Sequence, residues 1–127
     1  MIMATNLKSH EWIVEEYFKR IRAGDLTGIL DLFSYDCVVY EPFSNSKILT
    51  GKTEIQSFLR INIMAVQDMN YEIKLDKESQ KEDKKQVVAI VSFLKEHELK
   101  GKFSFHFEDL VGKSSRIKAL RIEFLSK

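Results

Sequence analysis

The chain has 127 residues, of which 44% are apolar and 31% charged; one domain spanning 1–127 is expected, and that apolar share argues against a disordered chain. Lys and Arg number 20 against 19 Asp and Glu, a formal charge of +1, so no basic field is present to hold nucleic acid. No apolar run approaches the roughly 18 residues of a membrane span, Met1 to Asn6 lack the pattern of a signal peptide, and the lone Cys37 cannot form an internal disulfide, which makes a cytoplasmic setting the default.

The first third reads as helical. Val14, Tyr17, Phe18 and Ile21 recur at i, i+3, i+4, i+7, one apolar stripe. Thr5 or Asn6 can cap that helix at its start, and Gly24 can end it in the left-handed conformation. Asp25 then caps a second helix, whose stripe is Leu26, Ile29, Leu30 and Phe33. Cys37 to Glu41 is β-branched and aromatic and predicts a strand, which Pro42 ends. Phe43 to Thr50 reads as a loop. Gly51 precedes a third helix, with Thr53 and Gln56 at capping-box spacing and Ile55, Phe58 and Leu59 on its apolar face.

From Met69 the period changes to two. Met69, Tyr71, Ile73 and Leu75 alternate with polar residues, a half-buried strand. Glu78 to Lys85 is a charged turn. Gln86 to Leu94 is apolar on both parities, so it is a central strand or one whose second face meets another subunit; a homodimer is expected on that ground. Lys100-Gly101 is read as a turn, followed by Phe103, Phe105 and Phe107 at period two. Gly112 to Ser115 turns the chain into a last strand, with Leu120, Ile122 and Phe124 on one face. Helices segregated from a mostly antiparallel sheet make an α+β domain. A twisted sheet wrapped around the helices would enclose an aromatic interior suited to a small apolar ligand. Val39, Phe58, Phe93, Phe103, Phe105, Phe107 and Leu120 are the residues expected to line it. A dry, filled core of the same residues is the alternative.

The N-terminal half carries a further pattern: Tyr17-Phe18, Ala23-Gly24-Asp25-Leu26, Leu32-Phe33, Val38-Val39-Tyr40-Glu41-Pro42, and Gly51 followed by Ile55 and Phe58. Over roughly residues 9 to 60 this resembles the nuclear-transport-factor-2-like superfamily, and within it the SnoaL-like polyketide cyclases and the ketosteroid isomerases. The resemblance implies a cone-shaped, curved, mostly antiparallel sheet wrapped around three N-terminal helices, often dimeric through the outer sheet face. It implies that Glu41 is a proton shuttle and that Tyr17 donates a hydrogen bond to a developing enolate. The reaction class would be isomerisation, cyclisation or dehydration by proton transfer, without cofactor. Two positions depart from the isomerases. Phe105 stands where they carry a protonated Asp, and Leu59 where they often place a supporting tyrosine. A non-catalytic ligand-binding or dimerisation domain is the alternative to an enzyme.

Other polar candidates are weaker. His106 alternates with Phe105 and Phe107 and faces away from the aromatic interior, while His10 and His97 read as surface residues. No His pair has metal-ligand spacing and Cys37 stands alone, so no metal site is expected. No glycine-rich phosphate loop is present to hold a nucleotide cofactor.

Overall fold

The computed structural model describes residues 9–41, 48–66, 70–78, 85–93, 99–108 and 115–125. Helix α1 spans Ser9–Ala23, α2 Leu26–Leu30 and α3 Gly51–Val66. The strands are β1 (Phe33–Tyr40), β2 (Ile48–Thr50), β3 (Tyr71–Asp76), β4 (Gln86–Phe93), β5 (Leu99–Phe107) and β6 (Ile117–Leu125). They form one sheet in the order β2-β1-β6-β5-β4-β3. Every neighbouring pair is antiparallel except β1 with β6. This is the α+β architecture the sequence predicts, with all three helices in the N-terminal half. No helix among the described residues is long and apolar enough to cross a membrane.

The turn between the first helices follows from its residues. Gly24 takes φ 72°, and the Asp25 backbone N–H donates to Arg20 O at 2.9 Å, closing α1. Asp25 Oδ1 then accepts from the Gly28 N–H at 3.0 Å and caps α2. Arg20 fastens the pair by donating to Glu16 Oε1 at 2.9 Å and to the Gly28 carbonyl at 2.7 Å. The apolar stripe of α1 is buried as its period requires: Ile13, Val14, Tyr17, Phe18 and Ile21 all lie in the core.

Several expectations change. Phe33 belongs to β1 and not to the second helix, which is only five residues long. Ile48–Thr50 pairs with β1 as a short edge strand, where the sequence reads a loop. The cap of α3 is made by Glu54, whose Oε1 accepts from the Thr50 N–H at 2.8 Å, in place of the Thr53–Gln56 box expected. Lys100 and Gly101 lie inside β5, opposite Ser92 and Val91 of β4, and are not a turn. A Cβ on Gly101 would stand 3.1 Å from the Phe103 ring, so glycine is there to let that ring pack over the strand. His10 is buried, not on the surface, because its imidazole stacks on Phe107 at 4.3 Å between ring centres. Thr5, Asn6, Pro42 to Lys47, Met69, Leu94 to Glu98 and Asp109 to Ser114 lie outside the described residues.

The two faces of the sheet differ. Phe103, Phe105 and Phe107 point inward, as do Val87, Ala89 and Val91. His106 takes the opposite parity, level with Gln86 and Ala119. On that outer face of β4, Val88 is already buried within one chain and Ile90 is half-buried.

Candidate functional site

The inner face of the sheet meets α1 through a lattice of aromatic rings. Tyr17 stands edge-on to Phe18 (5.1 Å), Phe105 (5.2 Å) and Phe33 (6.2 Å). Phe18 in turn meets Phe103 at 5.4 Å and Tyr71 at 6.5 Å. Edge-to-face contacts of this kind fix ring orientation as well as burying area. Two tyrosines of this lattice line one cavity. Tyr17 from α1 and Tyr71 from β3 line a cavity with Asn62 of α3, and its remaining wall is Phe18, Ile21, Val66, Val91, Phe93 and Phe103.

Both phenols are at least nine-tenths buried, and neither hydroxyl has a hydrogen-bond partner of good geometry in the protein. The cavity that the two residues line has a volume of about 20 Å³, room for one water molecule. Burial pushes the Tyr17 phenol well above the ordinary tyrosine range, the Asn62 side chain opposes this, and Tyr71 adds to it. Tyr17 is therefore a neutral O–H donor at any ordinary working pH. The shift also fixes the sign of an alkaline effect. In the unfolded chain Tyr17 ionises near pH 10, while in the folded protein it holds its proton. The contribution of Tyr17 to stability is thus complete below about pH 10 and is lost as pH rises above it. Chemical unfolding at stepped alkaline pH is expected to show this fall, and a Tyr17→Phe variant to show less of it.

The residues singled out in the sequence are distributed unevenly around this site. Tyr17, Phe93 and Phe103 line the cavity. Phe105 supports it from behind by its contact with Tyr17. Val39, Phe58, Phe107 and Leu120 are buried in the core and are not among the lining residues, because the helices fill that part of the interior. Glu41 is half-buried directly after β1 and is also not among them. Within β1 the alternation buries Cys37 and Val39, and the strand ends at Tyr40. Tyr40, the last residue of β1, pairs with Arg121, and the following residue of β6, Ile122, pairs with Phe103. β6 alone lies between β1 and β5, which sets those two strands about 10 Å apart across the sheet.

Two members of the site were not singled out in the sequence. Asn62 sits on the apolar face of α3 among Phe58, Leu59, Ile63 and Val66, and a polar residue at that helical spacing is the signal that could have found it. Tyr71 was counted simply as an apolar position of its strand. Cys37 is fully buried, and burial raises its thiol pKa, which marks it as an inert thiol. Among the described residues no three His, Cys, Asp or Glu side chains converge on a point.

A second concavity lies outside the first. It runs between α1 and the edge strand β3, has a volume of about 530 Å³, and is lined by Val14, Glu15, Phe18, Lys19, Arg22, Ala23, Ile73 and Leu75. The Arg22 guanidinium lies over the Tyr71 ring, 4.4 Å from its centre.

The chain matches no protein-family model, and no curated protein matches its sequence. Solved structures do share its architecture. A SnoaL-like protein of unknown function from Burkholderia thailandensis is 17% identical with a TM-score of 0.71, covering 99% of each chain. A steroid delta-isomerase from Pseudomonas aeruginosa is 23% identical with a TM-score of 0.68, over 91% of this chain and 79% of that one. The epoxide hydrolase/cyclase-like enzyme SalBIII, with a role in pyran ring formation in the polyether salinomycin, is 19% identical with a TM-score of 0.65, over 91% of this chain and 89% of that one. The chain therefore has the nuclear-transport-factor-2-like fold, the architecture of SnoaL-like proteins and ketosteroid isomerases.

Proposed function

We propose that this protein binds a small apolar compound carrying a carbonyl or hydroxyl group, whose oxygen is held by the Tyr17 and Tyr71 hydroxyls. The observation that carries this reading is the pair of buried phenols lining one cavity, neither hydroxyl making a hydrogen bond of good geometry to the protein. A buried polar group left unpaired costs about 1–3 kcal/mol, and buried tyrosine hydroxyls usually find partners. Two such groups at one place, walled by aromatic rings, form a cleft for an oxygen atom.

A catalytic form of the same reading has its own support. Glu41 directly follows β1, and continuing the alternation of Cys37 and Val39 would turn its carboxylate toward the same interior. Tyr17 is a neutral donor suited to a developing oxyanion. Phe105 offers no second donor, and the Tyr71 hydroxyl takes that part from β3. Glu41 would then move a proton in an isomerisation, cyclisation or dehydration. Once a turned-over compound is found among cyclic ketones and enols, Glu41→Gln is expected to keep its affinity and lose about a hundredfold in turnover. Full turnover in that variant removes the proton-transfer reading and leaves a ligand-binding protein. A homodimer through the outer sheet face fits the same picture, since Ile90 and Val38 are only half-buried there. A cytoplasmic setting fits a buried Cys37 that stays a thiol.

A further inference from the structure

The outer groove and the inner cavity share Phe18 as a wall. Behind that wall are the two phenols, in a space of about 20 Å³ that admits a water but no organic molecule. In front of it the groove offers about 530 Å³, within the range of small-molecule sites. The groove floor is apolar, made by Val14, Phe18, Ile73 and Leu75. Its rim is charged. Lys19 and Arg22 stand against one acid, Glu15, leaving one net positive charge.

Neither cation is committed elsewhere. The Lys19 side chain is 77% exposed and reaches Glu16 only at 3.8 Å, a surface contact of little strength. Arg22 has no ion-pair partner among the described residues and rests on the face of Tyr71. The guanidinium and the Tyr71 hydroxyl are thus neighbours across a single ring. From there the groove runs back along α1 to Val14, about 12 Å of helix.

We propose that groove and cavity are one binding site, parted by Phe18, for an oxo acid with an apolar tail. This rests on the reading of the phenol pair given above. The ketone oxygen accepts bonds from Tyr17 and Tyr71 once the Phe18 ring swings aside. The carboxylate, a few carbons away, meets Arg22 and Lys19 at the rim. The tail lies along Val14, Ile73 and Leu75. The closeness of Arg22 to Tyr71 sets the spacing: carbonyl and carboxylate must stand two or three carbons apart, as in a γ-oxo acid.

The test is calorimetric titration of the intact protein with γ-oxododecanoate, with ethyl octyl ketone (the same molecule without its carboxylate) and with dodecanoate (which has no ketone). The keto acid is expected to bind about tenfold more tightly than either, one charge-assisted bond or one buried carbonyl being worth that much. The exposed-residue variant Lys19→Gln/Arg22→Gln is expected to bring the keto acid down to the level of the ketone and to leave the ketone unchanged. Phe18→Leu, which thins the wall and keeps it apolar, is expected to speed association. If the ketone binds as tightly as the keto acid, and the double variant changes nothing, the charged rim is no part of the site and this proposal falls while the phenol-pair reading stands. If dodecanoate binds as well as the keto acid, or neither ketone-bearing compound binds, both fall together.

Discussion

Replacing Tyr17 and Tyr71 together by phenylalanine is expected to abolish most ketone binding while leaving the protein as stable as before. The two hydroxyls make no bond of good geometry to the protein, so removing them takes away no well-formed protein–protein hydrogen bond. Each ring stays in place and keeps its edge contacts, Tyr17 with Phe105 and Phe18, Tyr71 with Phe18 and Phe93. Stability should therefore stay within about 1 kcal/mol of the parent, or rise, since a buried unpaired hydroxyl is itself a cost. Binding behaves differently. A carbonyl oxygen brought between two phenylalanines loses both phenol donors, and about a hundredfold of affinity is lost for two missing bonds. Thermal or denaturant unfolding read beside calorimetric binding separates the two effects. A large loss of stability would mean that the hydroxyls are structural, bonded in solution to groups of the protein itself.

The opposite balance is expected at Phe105. Its side chain is fully buried, touches Tyr17 and stacks on Phe103. It stands on β5 between two strands, level with Leu120 and Val87. Truncation to alanine removes most of an aromatic ring from a place walled by two strands and a helix, which cannot close on the gap. The expected cost is about 3–5 kcal/mol, a large part of the stability of a small domain. Denaturant unfolding should show a lower midpoint at an unchanged slope. The sign of the binding effect also matters. The loss of Phe105 frees the Tyr17 ring to tilt, so ketone affinity should fall with stability, in contrast to the tyrosine pair. A Phe105→Ala protein of parental stability would show that the aromatic lattice is not what holds Tyr17 in place.

Periodicity made the helices and the long strands legible. The stripe from Val14 to Ile21, the double parity of Val87 to Phe93 and the three alternating phenylalanines are each strong local patterns, and the structure buries them accordingly. The short pieces were not legible. Ile48–Thr50 is three residues long and is a strand only because β1 lies beside it. Gly101 looks like a turn residue in sequence, whereas its reason for being glycine is the ring of Phe103 two residues on. At the site, Tyr17 was legible because it lies on a helical stripe and matches a family pattern. Tyr71 was not, because whether a phenol is satisfied depends on what a distant helix places against it. His10 likewise looked exposed at a helix start until Phe107, from the other end of the chain, stacked on it.

The most direct test of the phenol pair as a ligand site is a crystal structure of the protein grown with cyclohexenone. The expected result is a carbonyl oxygen within hydrogen-bond distance, about 2.6–3.0 Å, of both the Tyr17 and Tyr71 hydroxyls, with the Phe18 ring turned aside. A structure in which both hydroxyls are bonded to groups of the protein, and the ketone is absent from the cavity, would contradict the account.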